Sequence, residues 1–199
     1  MSVRPNEFRL LALDPGGRTG WAECSVDFRA FSRPEHKVLA NLNWYESGYL
    51  TGTEFEQLTV LERLVTDLHW DSMPFTPKSQ VVSEDFDLVQ LKGGKELLSP
   101  VRINSVVAWF CMTKGVAFDL QARQLRTSVT KERLKLFGFE GRYQKDEFAA
   151  MQHMVTYLRR LKQKSLSAPW KLEDEQSTNA QWDCSCARGK KQHNLAHPL

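Results

Sequence analysis

Three acidic residues stand where a chain can gather carboxylates: Asp14, Glu84 and Asp146. Asp14 ends the apolar run Leu10-Leu11-Ala12-Leu13, and Pro15-Gly16-Gly17 follows at once. Glu84 ends the short run Val81-Val82-Ser83, and Asp146 opens a helical pattern that continues to Leu161. A carboxylate at the end of a buried strand loses hydration, so a hydrogen-bond donor, a basic side chain or a metal ion must meet it. Oxygen ligands gathered with no set of His or Cys among them suit Mg²⁺ or Mn²⁺. Two such ions can hold a phosphodiester, activate water and stabilise the leaving oxygen. Each acid also has an ordinary explanation. Asp-Pro-Gly is good turn chemistry, with Pro15 fixing φ and Gly16 and Gly17 permitting positive φ, and acidic residues favour helix starts. His153 follows Asp146 by two helical turns, on the same face, and could supply a ligand or a proton. A lone helix histidine is also often structural.

These residues need a scaffold. Phe8–Ala12 reads as a buried strand and Thr19–Ser25 as its hairpin partner; Lys37–Leu50 alternates loosely and reads as a third antiparallel strand. From Thr53 to His69 the apolar residues Phe55, Leu58, Leu61, Leu64, Val65 and Leu68 recur at helical spacing, with Thr53 and Glu56 forming a capping box. Gln80–Leu88 is a strand. Pro100–Lys114 is a helix whose apolar residues, Trp109 and Met112 among them, nearly encircle it, which predicts deep burial. Val116–Leu120 is a short strand. Leu134, Leu136, Phe137 and Phe139 could pack as a short helix and turn, and Asp146–Leu161 is a helix. The order predicts an α/β layer structure: a mixed five-stranded sheet that begins as a meander and adds parallel strands by crossovers. Asp14 and Glu84 then converge at one sheet end if their strands are neighbours, with Asp146 facing the same point.

The chain has 199 residues, 41% of them apolar, enough for one domain with a proper core. Residues 1–164 read as that domain. From Ser165 the composition turns polar, so residues 165–199 read as a weakly ordered or peripheral tail. The tail carries Cys184, Cys186, His193 and His197, a set that could hold zinc although the cysteine spacing is tight. No apolar run is long enough for a bilayer, and Met1–Phe8 lacks the apolar core of a signal peptide, so a soluble, cytoplasmic protein is expected. The four cysteines do not form a disulfide framework. The net charge of +3 hides an asymmetry: Val89–Lys145 holds eleven basic residues against four acidic ones. Segregated positive charge suits a polyanion. Lys92, Lys95, Arg102, Arg123, Arg126, Lys131 and Lys135 in this stretch are the candidate phosphate contacts.

The run Leu11-Ala12-Leu13-Asp14-Pro15-Gly16-Gly17-Arg18-Thr19-Gly20-Trp21-Ala22 resembles the first motif of RuvC-type Holliday-junction resolvases, in the RNase H-like superfamily. Val81–Phe86 resembles their second acidic strand, Phe118–Val129 the strand and basic turn that follow, and Lys145–Ala150 the final acidic helix. The resemblance runs from Phe8 to Leu161 in the same order. It implies an RNase H-like fold, a homodimer, and metal-dependent cleavage of branched DNA. Asp14, Glu84 and Asp146 become metal ligands by position. Arg126 falls where the family has a functional lysine, and Lys131 lies near a second one. Phe86 and Leu88, just past Glu84, could pry apart a junction centre. One departure stands out: Ala149 takes the place of a further family aspartate. The small size and unusual tail would suit a phage-encoded enzyme in a bacterial host. Two other readings share the fold: a non-catalytic binder of branched DNA, and an RNA-processing nuclease.

Overall fold

The computed structural model describes residues 7–27, 42–70, 78–86, 99–136, 139 and 143–163. Five strands form one mixed sheet: β1 (Glu7–Asp14), β2 (Thr19–Asp27), β3 (Leu42–Leu50), β4 (Lys78–Asp85) and β5 (Ala117–Ala122). Their spatial order is β3-β2-β1-β4-β5. β1 pairs antiparallel with β2 and β2 antiparallel with β3, whereas β1, β4 and β5 run parallel. The helices are α1 (Glu54–Trp70), α2 (Ser99–Lys114), the short α3 (Arg123–Arg126) and α4 (Lys131–Leu136), and α5 (Lys145–Lys162). Among the described residues no helix is long and apolar enough to cross a membrane.

Side chains alternate along β1 and so divide the core in two. Leu11 and Leu13, with Val81 of β4, pack against Leu61, Val65 and Leu68 of α1 and Ile103, Val107 and Phe110 of α2. Leu10, Ala12 and Asp14 point to the other face, where α5 crosses β2 and β1. α5 presents Met151, Met154, Val155 and Leu158 to that face, all fully buried. Gly20 on β2 makes the contact close. A Cβ there would collide with the Asp146 carbonyl, so only glycine lets the first turn of α5 lie on the sheet.

Most elements form where the pattern places them, and the differences have local causes. β1 runs on to Asp14, because its ladder with β2 closes only at the Asp14–Gly20 pair. The Thr53 cap forms as expected: its backbone N–H donates to Glu56 Oε2 at 2.7 Å and its hydroxyl accepts from the Glu56 N–H at 3.3 Å. Gly16 and Gly17 do not take positive φ; among the described glycines only Gly52 and Gly115 do. Trp109 and Met112 are not core residues but 56% and 71% exposed. α2 buries one stripe, Ile103, Val107, Phe110 and Cys111, and its opposite side faces outward whatever its composition. Leu134 and Phe139 are buried as expected, while Phe137 and Leu88 lie outside the described residues. The chain divides into two units after Ser167, and all described residues belong to the first. The tail set Cys184, Cys186, His193 and His197 therefore lies outside them.

Candidate metal centre

Asp14 and Glu84 are brought together because β1 and β4 are parallel neighbours whose chains leave the sheet at the same end. Both side chains point to the α5 face. The third corner is His153 of α5, fully buried. One ligand atom from each of these three residues lies within 4.8 Å of the others. Nε2 of His153 stands 2.9 Å from Glu84 Oε2. From the turn after β5, Arg126 reaches in with one nitrogen: Nη1 is 2.8 Å from Asp14 Oδ1 and 2.7 Å from Glu84 Oε2. Arg123 Nε stays 3.8 Å from Glu84 Oε1, beyond hydrogen-bonding reach. Glu84 Oε2 thus faces two nitrogen donors, and the Asp14 carboxyl is hydrogen-bonded to the same side chain.

The surroundings push the two carboxyl groups apart in acidity. Burial raises Asp14 from 3.8 to about 7, with the Glu84 charge adding to the rise and the Arg126 guanidinium opposing it. Glu84 is also penalised by burial, but the His153 hydrogen bond and the charge of Arg126 outweigh that, and it is held below its ordinary value. Burial lowers His153 and so disfavours its charged ring, against the pull of Glu84. α2 braces the Glu84 backbone: Asn104 Nδ2 donates to the Glu84 carbonyl at 2.8 Å and Ser83 Oγ donates to Asn104 Oδ1 at 2.6 Å.

Two carboxylates within ion-bridging distance, with an imidazole beside them, fit a divalent cation, and their oxygens suit Mg²⁺ or Mn²⁺. The charge balance fits as well. Arg126 now supplies the positive charge that two neighbouring carboxylates demand, which is the role an ion would take over.

The other expected residues are distributed differently. Asp146 does not join the cluster. It sits two helical turns from His153, about 10 Å along the α5 axis, and its Oδ2 lies 3.0 Å from Arg18 Nε in the turn after β1. The expectation that three carboxylates would crowd together is therefore met by two carboxylates and a histidine. The start of α5 lies on β2 at Gly20, and it is the residue two turns later that meets the strand ends. Arg102 is 2.8 Å from Glu54 of α1. Lys131 and Lys135 are exposed on α4, and Lys92 and Lys95 lie outside the described residues. Two contributors went unread in the sequence: Arg18, which holds Asp146, and Gln121, fully buried on β5 opposite Glu84. The alternation Asp119-Leu120-Gln121 is the only signal that could have marked Gln121 as facing inward with Glu84.

No family model and no curated protein matches the sequence. Several solved structures resemble it in three dimensions, two RuvC structures among them. T. thermophilus RuvC in complex with Holliday junction substrate aligns with a TM-score of 0.53 at 12% identity, over 78% of this chain and 96% of that one. The Thermus thermophilus RuvC structure aligns with a TM-score of 0.51 at 17% identity, over 79% and 97%. At this distance the likeness is one of architecture, and it identifies the chain as a bearer of the RuvC-type, RNase H-like fold.

Proposed function

We propose that this protein is a metal-dependent endonuclease that hydrolyses phosphodiester bonds in branched DNA, Holliday junctions among them. The observation that carries the reading is the meeting of Asp14 and Glu84 with His153 at the shared end of β1 and β4. Asp14 and Glu84 would hold Mg²⁺ or Mn²⁺, with His153 at the third corner. Such an ion, when bound, lowers the pKa of water and polarises the phosphate. Arg126 has a second use once an ion neutralises the carboxylates: its guanidinium can turn to a phosphate oxygen, where it pairs in bidentate fashion. Arg123 is exposed beside it and suits a flanking phosphate. Asp146 could take part only after releasing Arg18. Phe86, half-buried just past Glu84, remains a candidate wedge at the branch point. Branched DNA is chosen because the similar RuvC structure holds a Holliday junction. A homodimer would set two such centres on the two strands that must be cut.

A specific observation keeps a second reading in play. Ala149 stands where related enzymes have an aspartate, and Asp146 is held in an ion pair, so the protein could bind junctions without cutting them. Incubation with a synthetic four-way junction and Mg²⁺ separates the two. Cleavage that falls roughly 100-fold or more in Asp14→Asn, with binding retained, supports the nuclease; losing a partner that only orients a metal ligand usually costs about 10–100-fold. Binding without nicking in either Mg²⁺ or Mn²⁺ supports the binder, and preferential cutting of structured RNA in competition points to an RNA substrate.

A further inference from the structure

Gln121 is fully buried and sits beside Glu84 in the sheet register. Its Nε2 lies 2.8 Å from Nδ1 of His153 and 3.3 Å from the backbone carbonyl oxygen of the same residue. A carbonyl oxygen only accepts, so the side of the amide turned towards it must be the NH₂. The reverse orientation would set two oxygens against each other. Oε1 is buried without a partner and does nothing to turn the amide round. The amide nitrogen therefore donates to Nδ1, and Nδ1 must present its lone pair. The ring of a neutral histidine then carries its one proton on Nε2. Nε2 faces Glu84 Oε2 at 2.9 Å, and an N–H donating to a carboxylate is the favourable arrangement there.

We propose that Gln121 is a positioning residue that locks His153 in the Nε2–H tautomer, so that His153 serves Glu84 as a hydrogen-bond donor and not the metal as a nitrogen ligand. A ring nitrogen that holds a proton has no lone pair for a cation. Glu84 Oε2 is held by His153 and Arg126, so the orientation of the Glu84 carboxylate depends on both. Metal-bound carboxylates are commonly oriented by such outer partners. The chain Gln121–His153–Glu84 links β5, α5 and β4, and each member is buried. The bearing of this lock on catalysis rests on the metal-nuclease reading; the tautomer itself does not.

The test is long-range ¹H–¹⁵N correlation of the imidazoles in the full, metal-free chain at pH 8, with the His153 signals identified by their loss in His153→Asn. The expected spectrum shows an unprotonated-type Nδ1 shift and a protonated-type Nε2 shift. In Gln121→Leu the single tautomer gives way to a mixture. In Gln121→Glu, which offers Nδ1 an acceptor, the proton moves to Nδ1. Titration of the parent with Mg²⁺ leaves Nε2 protonated. A parent spectrum with the proton on Nδ1, an unchanged tautomer in Gln121→Leu, or loss of the Nε2 proton on adding Mg²⁺ would each overturn the proposal. Should Gln121→Leu fail to fold, the parent spectrum and the Mg²⁺ titration still decide. If Mg²⁺ perturbs no resonance near Asp14 or Glu84, the metal reading fails while the tautomer lock stands on the metal-free spectrum.

Discussion

Asp14 and Glu84 share one pocket yet differ in what holds them. Both meet Arg126, but only Glu84 also meets His153, and for Asp14 burial prevails. Between about 3.8, where Asp14 titrates in the unfolded chain, and about 7, where it titrates in the fold, the folded state keeps a proton that the unfolded state has lost. Stability of the metal-free protein is drawn down by this group as pH rises through that window. Asp14→Asn removes that contribution. Urea unfolding should therefore show the variant gaining on the parent from pH 4 to pH 7 and no further gain above it. If the proposed site binds the ion, saturating Mg²⁺ should stabilise the parent above pH 7 and leave Asp14→Asn nearly unmoved. A flat difference across the pH range would mean that Asp14 is not held in this environment.

α5 decides which of its residues reaches the strand ends, and Gly20 decides where α5 lies. The first turn of the helix rests on β2 at Gly20, and Ser47 Oγ donates to Glu147 Oε1 at 2.7 Å from the neighbouring strand. Two turns later the same helix delivers His153 to Glu84. Gly20→Ala should cost about 3 kcal/mol, the upper end of overpacking penalties, because the obstacle is backbone and cannot rotate away. Chemical denaturation measures the loss. The variant should also lose the Nε2–Glu84 contact if the helix shifts instead, which the His153 imidazole resonances report. α2 teaches the complementary lesson. Its apolar residues surround the axis, yet only the side turned to α1 and the sheet is buried, and Trp109 and Met112 face outward.

The charge of the chain is partly spent on itself. Arg102, Arg123 and Arg126 each lie within 4.0 Å of a carboxylate, so the basic stretch is less of an open phosphate surface than its count suggests. Lys131 and Lys135, exposed on α4, are better placed to meet a polyanion. Lys131→Gln should weaken junction binding about equally for all sequences and reduce the slope of log K against log salt by about 1. Fluorescence anisotropy at several salt concentrations checks this. Asp14→Asn should leave the slope unchanged, because Asp14 contacts no phosphate in the proposed complex.

Element order, the placing of Asp14 and Glu84 near the ends of strands and the Thr53 cap were legible because local patterning determines them: alternation for strands, three- and four-residue spacing for helices, and a side chain that satisfies its own helix start. Connection rules predicted parallel strands after the meander, but that β1 and β4 are neighbours, and with it the meeting of two acids more than sixty residues apart, is a property of the folded sheet. What one dimension could not supply was rotation and reach. The identity of the third group depended on how far α5 slides across β2 before it meets the strand ends, and a glycine contact sets that distance. Arg126, Arg18 and Gln121 acquire their roles only from neighbours supplied by other elements. Their partners are chosen by packing, which no spacing along the chain records.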